Sequence, residues 1–323
     1  MPVPKISVCI PVFRTEKWLA ECLQSIASQN FKEIEVLVLS DASDGRDENG
    51  LTAKKIVKKF QKCVDFPVHF LENSRTLCLI EVRRRLVEEA EGEYIFMLDS
   101  DDALAQNALS FLYEAAVKND ADIVQGNCVT MDSELKNHVE SRNEFQAFQG
   151  ILEGRKVFEE CFINGKYRPV IASKLIRKTV YQKAFSQIPF IYAHMAEEVL
   201  QYFFIARFSE KYAGIDEPVY LYRQGTGITG RKIKNLEEWQ KVCSASGIIT
   251  ALYDWAETET QNGNPPSEEE MKSLQRLAKF YCLNNVKQLQ KRVSEYIKKE
   301  ARDMLCEYWG KDAIERTEEF LLK

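Results

Sequence analysis

The chain has 323 residues, 45% of them apolar and 29% charged, which is enough for one large core with a smaller unit attached and too apolar for a disordered segment. Its formal net charge of -5 excludes a protein whose main task is to hold a polyanionic backbone, since that affinity comes from clustered Lys and Arg, so no nucleic acid is expected as a partner. Nine scattered cysteines, with no CxxC or Cys/His cluster, exclude a zinc module and fit a reducing cytoplasm.

The start, Met1-Pro-Val-Pro-Lys5, runs straight into a strand-like segment, and no apolar run approaches the roughly 20 residues a membrane span needs, so a chain neither secreted nor membrane-spanning is expected. Ile6-Ser-Val-Cys-Ile10 reads as a buried strand broken by Pro11, and Leu19, Leu23 and Ile26 recur at helical spacing between Glu16 and Gln29. The unit repeats. Ile34 to Leu39 leads through Ser40-Asp-Ala-Ser-Asp-Gly-Arg46 to a helix from Leu51 to Cys63, whose lysines form its wet face. Val68 to Leu71 leads to a helix from Leu77 to Ala90, and Tyr94 to Leu98 supplies a further strand. Apolar strands alternating with amphipathic helices indicate an α/β fold, a mostly parallel sheet covered on both faces, with ligands beyond the carboxyl ends of the strands. A helix from Leu104 to Lys118, a strand from Asp122 to Val129 and a polar excursion from Met131 to Gln149 follow. A second catalytic segment begins near Val170, with Ile171 to Leu175, an aromatic helix from Val199 to Phe208, and a Tyr212 to Tyr222 strand interrupted at Asp216-Glu-Pro218. Beyond that the patterns are helical, from Trp239 to Trp255 and from Met271 to Cys282, around a polar linker from Thr258 to Pro266. The expected division is a catalytic domain over residues 1–230 and a helical appendage over residues 231–323.

Phe96-Met-Leu-Asp-Ser-Asp-Asp102 delivers three carboxylates directly off the end of an apolar strand. Such crowding raises at least one pKa unless a cation arrives, and oxygen ligands suit Mn²⁺ or Mg²⁺ bridging to a diphosphate. Asp101 is the better direct ligand, and Asp99 suits ribose hydroxyls or a metal-bound water. Asp102 either holds the loop backbone or caps a helix starting near Ala103, and capping is the bland alternative for the whole cluster. Asp41 and Asp44, again after a core strand, either accept from a nucleotide base or ribose or form an Asx turn. Arg83-Arg84-Arg85 places a cation within reach of a nucleotide, with at least one of the three facing solvent. Glu197-Glu198 are general-base candidates or first-turn dipole partners, and His194 is a rival base. Tyr192, Phe203, Phe204, Tyr220 and Tyr222 form either a stacking surface for a sugar ring or core.

Taken in order, Ile6-Ser-Val-Cys-Ile-Pro-Val-Phe13, Trp18 to Gln29, Val36-Leu-Val-Leu-Ser-Asp-Ala-Ser-Asp44, Gly92 to Asp102 and Ile215 to Arg223 resemble the family 2 inverting glycosyltransferases with the GT-A fold. The resemblance covers roughly the first 225 residues, and its specificity lies in the order and spacing of the pieces. It implies that Pro11, Val12, Phe13 and Asp41 cradle the base of a nucleotide-sugar donor, a UDP-sugar or similar, that Arg83 approaches the nucleotide, and that Asp99, Ser100 and Asp101 form the donor's Asp-x-Asp segment. Asp101, with Asp99, then holds Mn²⁺ or Mg²⁺. Glu198, paired with Glu197, is the implied base. The sequence departs from the family where Asp-Asp-Gly-Ser reads Ser40-Asp-Ala-Ser43, where Arg-Asn reads Arg83-Arg84, and where Glu replaces Asp as base.

The implied activity is transfer of a sugar, with inversion, to a saccharide or lipid-linked saccharide. The implied location is the cytoplasm, at most peripheral at the inner face of a membrane, with membrane contact or self-association through the C-terminal helices. Three other classes compete. A degenerate transferase-like binding or assembly module would bind donor without turning it over. A nucleotidyltransferase would need an early glycine-rich phosphate loop with Lys or Arg, and Pro11-Val-Phe-Arg14 does not supply one. A dinucleotide oxidoreductase lacks its GxGxxG after the first strand.

Overall fold

Four apolar runs separated by amphipathic helices build the first half of a nine-stranded sheet. In chain order they are β1 (Ile6–Val12), α1 (Glu16–Ala27), β2 (Ile34–Ser40), α2 (Ala53–Phe60), β3 (Val68–Glu72), α3 (Leu79–Glu89) and β4 (Tyr94–Met97). Strands joined through helices return in the same direction, so β1 pairs parallel with β2 and β4, and β2 with β3. All of β1 and β2 is buried, whereas β3 at the edge is only partly so. Ile6, Val8 and Ile10 share one core with Leu19, Leu23 and Ile26 of α1. The entry to β4 passes so close to β1 that a Cβ on Gly92 would lie 2.6 Å from the Ser7 backbone nitrogen, and only glycine fits.

The structure, a computed structural model, describes residues 3–139, 146–225 and 232–322. The expected boundary at residues 230 and 231, and residues 140–145 of the polar excursion, lie outside these. Two units emerge, Met1–Gln187 with Gln201–Gly227, and Ile188–Leu200 with Ile228–Lys323.

The first unit continues through β5 (Ala103–Leu104), α4 (Ala108–Asn119), β6 (Ile123–Met131), β7 (Gly150–Glu153), α5 (Lys156–Phe158) with a π-helical extension, β8 (Lys174–Arg177), α6 (Lys178–Gln187), α7 (Glu197–Phe208) and β9 (Lys211–Arg223). α7 begins in the second unit. The strand order is β3-β2-β1-β4-β8-β6-β9-β5, with β7 on β9. The sheet is mixed: β8 runs antiparallel to β4 and β6, β5 and β7 run antiparallel to β9, and β6 and β9 are parallel. The helix expected from Leu104 starts four residues later. Ala103 and Leu104 instead pair with Leu221 and Tyr220, and Asn107 with φ of 60° turns the chain into α4. The expected interruption at Asp216-Glu-Pro218 takes the form of a register shift: β9 runs on from Lys211 to Arg223, but its pairing with β6 jumps from Gly214 to Pro218.

The second unit contains α8 (Leu236–Cys243), α9 (Ala245–Gln261), α10 (Glu268–Arg292), α11 (Lys298–Trp309) and α12 (Lys311–Leu322). The helix expected over Trp239 to Trp255 is two helices joined at Ser244. Their apolar stripes bury Trp239, Val242, Val286, Leu289, Leu305 and Ile314 together, and the Trp239 indole N–H donates to the Ala301 carbonyl at 2.8 Å. Ser267 and Glu270 form a capping box that starts α10. Leu274 is buried there, whereas Phe280 on the same helix is exposed. Among the described residues no helix is long and apolar enough to cross a membrane. The nine cysteines form no disulfide.

Candidate active site

From β1 the chain steps outward to β2 and β3, then returns to β4 on the other side of β1. The chain therefore leaves the carboxyl ends of β1 and β4 toward opposite sides of the sheet, the place where ligands bind in open α/β sheets. The Ser100 hydroxyl joins the two loops, donating to the Pro11 carbonyl at 2.8 Å and sharing a hydrogen bond with Thr15 Oγ1 at 2.6 Å. The Asp41 backbone N–H donates to the Val12 carbonyl at 2.9 Å and so brings in the loop after β2. Pro11, Val12, Asp41 and Ser100 thus meet at one end of the sheet. Phe13 follows them, 39% exposed, with the Arg14 guanidinium 5.2 Å from its ring. Arg14 also pairs with Asp44 at 2.8 and 3.3 Å, which holds the Asp44 carboxyl below its ordinary value. Asp44 is therefore a loop clasp.

Asp41 is buried. Its carboxylate accepts from the Asn73 amide at 2.7 Å and from the Leu77 N–H at 3.0 Å, while Asn73 in turn accepts from Arg85 at 2.6 Å. A cavity of about 500 Å³ lies beside it, lined by Ala42, Ser43, Glu72, Asn73 and Ser74. Ala42 shapes the loop with φ of 49°, and Arg14 lies in the same left-handed region at 58°. The three consecutive arginines divide their work. Arg84 clamps the Phe185 carbonyl and Glu81, Arg85 reaches Glu72 and Asn73, and Arg83 points to Asp99 at 3.5 Å. None of the three is the bare solvent-facing cation the sequence suggested.

The carboxylates after β4 differ in surroundings. Asp102 is buried and accepts from the Tyr220 hydroxyl at 2.8 Å and from the Arg223 N–H at 2.7 Å, so it fastens the loop to β9 and caps no helix. Burial, and then the neighbouring Asp101 and Asp99 charges, push its carboxyl well above the ordinary carboxylate range. Arg223, also buried, donates through Nε to the Asp101 carbonyl and through Nη2 to Glu21. Two buried guanidiniums, Arg83 and Arg223, therefore offset the crowding. Asp99 keeps a side-chain exposure of 37% and Asp101 is partly exposed. Among the described residues no three His, Cys, Asp or Glu side chains gather into a self-sufficient metal site. Two carboxylates from one loop fit a hard cation whose remaining ligands are water and phosphate oxygens, the usual manner of Mg²⁺.

Glu197 and Glu198 open α7 within the second unit, immediately after Ala196 with φ of 67°. Burial, and then their negative charge, push the Tyr281 phenol well above its ordinary value and keep it protonated. The His194 backbone N–H donates to Ser244 at 2.9 Å, and its ring sits edge-on to Tyr192 at 4.8 Å. Of the aromatics noted in the sequence, Phe203, Phe204 and Tyr220 are core and Tyr222 is partly buried, while Tyr192 is exposed. Sequence reasoning assigned no role to Arg223 or Asn73, and it did not foresee that Tyr220 would hold Asp102 or that Arg85 would hold Asn73. Arg223 carried a signal, as the charged residue closing the Val219-Tyr-Leu-Tyr222 run.

Residues 7–196 match the family described as Glycosyl transferase family 2. Glycosyltransferase GlyA of Streptococcus pneumoniae is 26% identical over 232 residues, covering 70% of this chain and 32% of that protein. The GalNAc(5)-diNAcBac-PP-undecaprenol beta-1,3-glucosyltransferase of Campylobacter jejuni is 26% identical over 185 residues, covering 57% of this chain and 56% of that protein. The chain thus spans about a third and little over half of these two relatives. The crystal structure of S. aureus TarS 1-349 in complex with UDP-GlcNAc superposes with a TM-score of 0.55 at 16% identity, covering 98% of this chain and 92% of that one. That likeness establishes the fold, an α/β GT-A arrangement in accord with the expectation from sequence.

Proposed function

Because the chain belongs to glycosyl transferase family 2, we propose that it transfers a sugar from a nucleotide-diphospho-sugar to a saccharide or lipid-linked saccharide acceptor, with inversion at the anomeric carbon. The observation that carries this reading is the joining of the Asp41 loop and the Asp99-Ser100-Asp101 loop at the carboxyl ends of β1, β2 and β4. The UDP-GlcNAc bound to TarS supports a UDP-sugar as donor, and the lipid-linked acceptor in the name of the C. jejuni relative supports that acceptor class.

In this reading Pro11, Val12, Phe13 and Asp41 seat the base, and Arg83 orients Asp99 toward the ribose or diphosphate. Asp101, with Asp99, would hold Mn²⁺ or Mg²⁺, which when bound neutralises the diphosphate and stabilises charge developing on it as it leaves. Glu198 takes the proton from the acceptor hydroxyl as that oxygen attacks the anomeric carbon opposite the leaving diphosphate, and Glu197 orients the loop or the acceptor. Catalysis lies within residues 1–230, with residues 231–323 as the helical appendage. The chain works in the cytoplasm. Exposed Phe280, Tyr296 and Phe320 on the helices give self-association or peripheral contact with the inner face of a membrane a surface, which light scattering and liposome flotation separate.

The base assignment is tested by Glu198→Gln, which keeps volume and removes basicity. Single-turnover transfer should fall roughly 10²–10⁴-fold with the donor dissociation constant unchanged, and Glu197→Gln should lose less. Near-normal transfer by Glu198→Gln, with a severe loss in Glu197→Gln or His194→Ala, would reverse the assignment.

A further inference from the structure

The helical unit contains a cavity of about 570 Å³, within the roughly 300–1,000 Å³ of small-molecule sites, and no residue of the nucleotide crevice lines it. One wall is the segment leading to α7, where Phe190 and Tyr192 are 69% and 62% exposed. Two large rings left open to solvent in a concave site are an anomaly in a folded unit unless something stacks on them. The position of the wall is fixed. The Ser244 hydroxyl accepts from the His194 N–H at 2.9 Å and donates to the Lys241 carbonyl at 2.6 Å, which pins the segment to the junction of α8 and α9, and the His194 ring braces Tyr192 edge-on.

Much of the remaining lining is polar. Gln240 donates to the Tyr308 hydroxyl at 3.2 Å, and Lys241 is paired with Glu237 at 3.5 Å, so Asp254 and Glu307 set the charge of the cavity as negative. Carboxylates accept hydrogen bonds from hydroxyls and repel phosphates. Aromatic rings take up the C–H face of a pyranose. We propose that this cavity binds a neutral saccharide, stacked on Phe190 and Tyr192 and hydrogen-bonded to Asp254 and Gln240. On the transferase reading above, the saccharide is part of the acceptor, presented by the segment that ends at Glu197 and Glu198. An anionic polyol-phosphate chain is the ligand this lining rejects.

Binding is measurable without turnover, so its failure and that of the transferase reading are distinguishable. The full chain is applied to an array of neutral glycans, and the strongest ligand is followed by saturation-transfer NMR, with ribitol 5-phosphate as the anionic control. Wild type should bind a neutral glycan with saturation of its ring protons. Tyr192→Ala and Phe190→Ala should each weaken it at least tenfold, Ala251→Trp should fill the cavity and abolish it, and all three should keep wild-type UDP affinity and circular dichroism. Binding that survives in these variants, preference for ribitol 5-phosphate, or no neutral glycan bound would each overturn the proposal. Glycan binding at the cavity in a protein that turns over no donor would leave it standing and remove only the acceptor role.

Discussion

Ala42 occupies the position where the resembled family carries glycine, and it does so at φ of 49°, a region that costs an L-residue with a Cβ roughly 1–2 kcal/mol. Ala42→Gly removes that strain but gives back about 0.4–1 kcal/mol of unfolded-state entropy. We expect a net gain of about 0.5–1 kcal/mol in urea unfolding, and a loss in Ala42→Val, whose branched side chain tolerates the region least. A loss in Ala42→Gly would show that the methyl group packs favourably enough to outweigh the strain. Arg14 and Ala196, adjacent to the base-side loop and to Glu197, share the left-handed conformation. Strain of this kind collects where loops are held for function. It was invisible in the sequence, because neither Arg nor Ala advertises a left-handed turn as Gly or Asn would.

At the scale of elements, β9 is what the loop after β4 leans on. Arg223 closes β9 and reaches the Asp101 carbonyl, the Ser133 carbonyl and Glu21, while its own N–H and the Tyr220 hydroxyl hold Asp102. Arg223→Met leaves the Asp101 and Ser133 carbonyls and Glu21, all partly buried contacts, without their donor and removes a cation beside two carboxylates. Chemical denaturation should register a loss of roughly 2–4 kcal/mol, somewhat under the ~3–5 for breaking a fully buried pair because Glu21 is half exposed. An unchanged midpoint would mean that the loop is held by other contacts. This tie spans more than 120 residues of chain, so no local pattern could reveal it. By contrast β1, β2 and β4 were legible because nearly continuous apolar runs between helical patterns leave few alternatives. β5 and β7 were not, because β5 has two residues and β7, Gly150-Ile-Leu-Glu153, is mostly exposed and carries only two apolar side chains.

For the whole molecule, the strand-and-helix alternation of the first half and the helical character of the end were readable from periodicity. The grouping of the chain in space was not. The helical unit takes in Ile188–Leu200, a segment that ends 28 residues upstream of Ile228, through contacts such as that of His194 with Ser244. A chain cut after residue 230 would leave that segment without its packing, and its thermal midpoint should fall by several degrees against the full chain. Leu305 sits at the centre of the helical core, so Leu305→Ala should cost about 2–5 kcal/mol in the unfolding of that unit. Loss of less than 1 kcal/mol would place the core elsewhere.

The central claim is that strand-end carboxylates turn over a nucleotide-sugar donor with the help of a divalent cation. The direct measurement is UDP release from UDP-GlcNAc and a panel of other UDP-sugars by the full chain in Mn²⁺, in Mg²⁺ and in EDTA, with Asp101→Ala beside the wild type and folding checked by circular dichroism. Release should require the cation and fall at least a hundredfold in Asp101→Ala, as expected for removing several kcal/mol of stabilisation at the developing charge. Release that proceeds equally in EDTA and survives in Asp101→Ala would contradict the account.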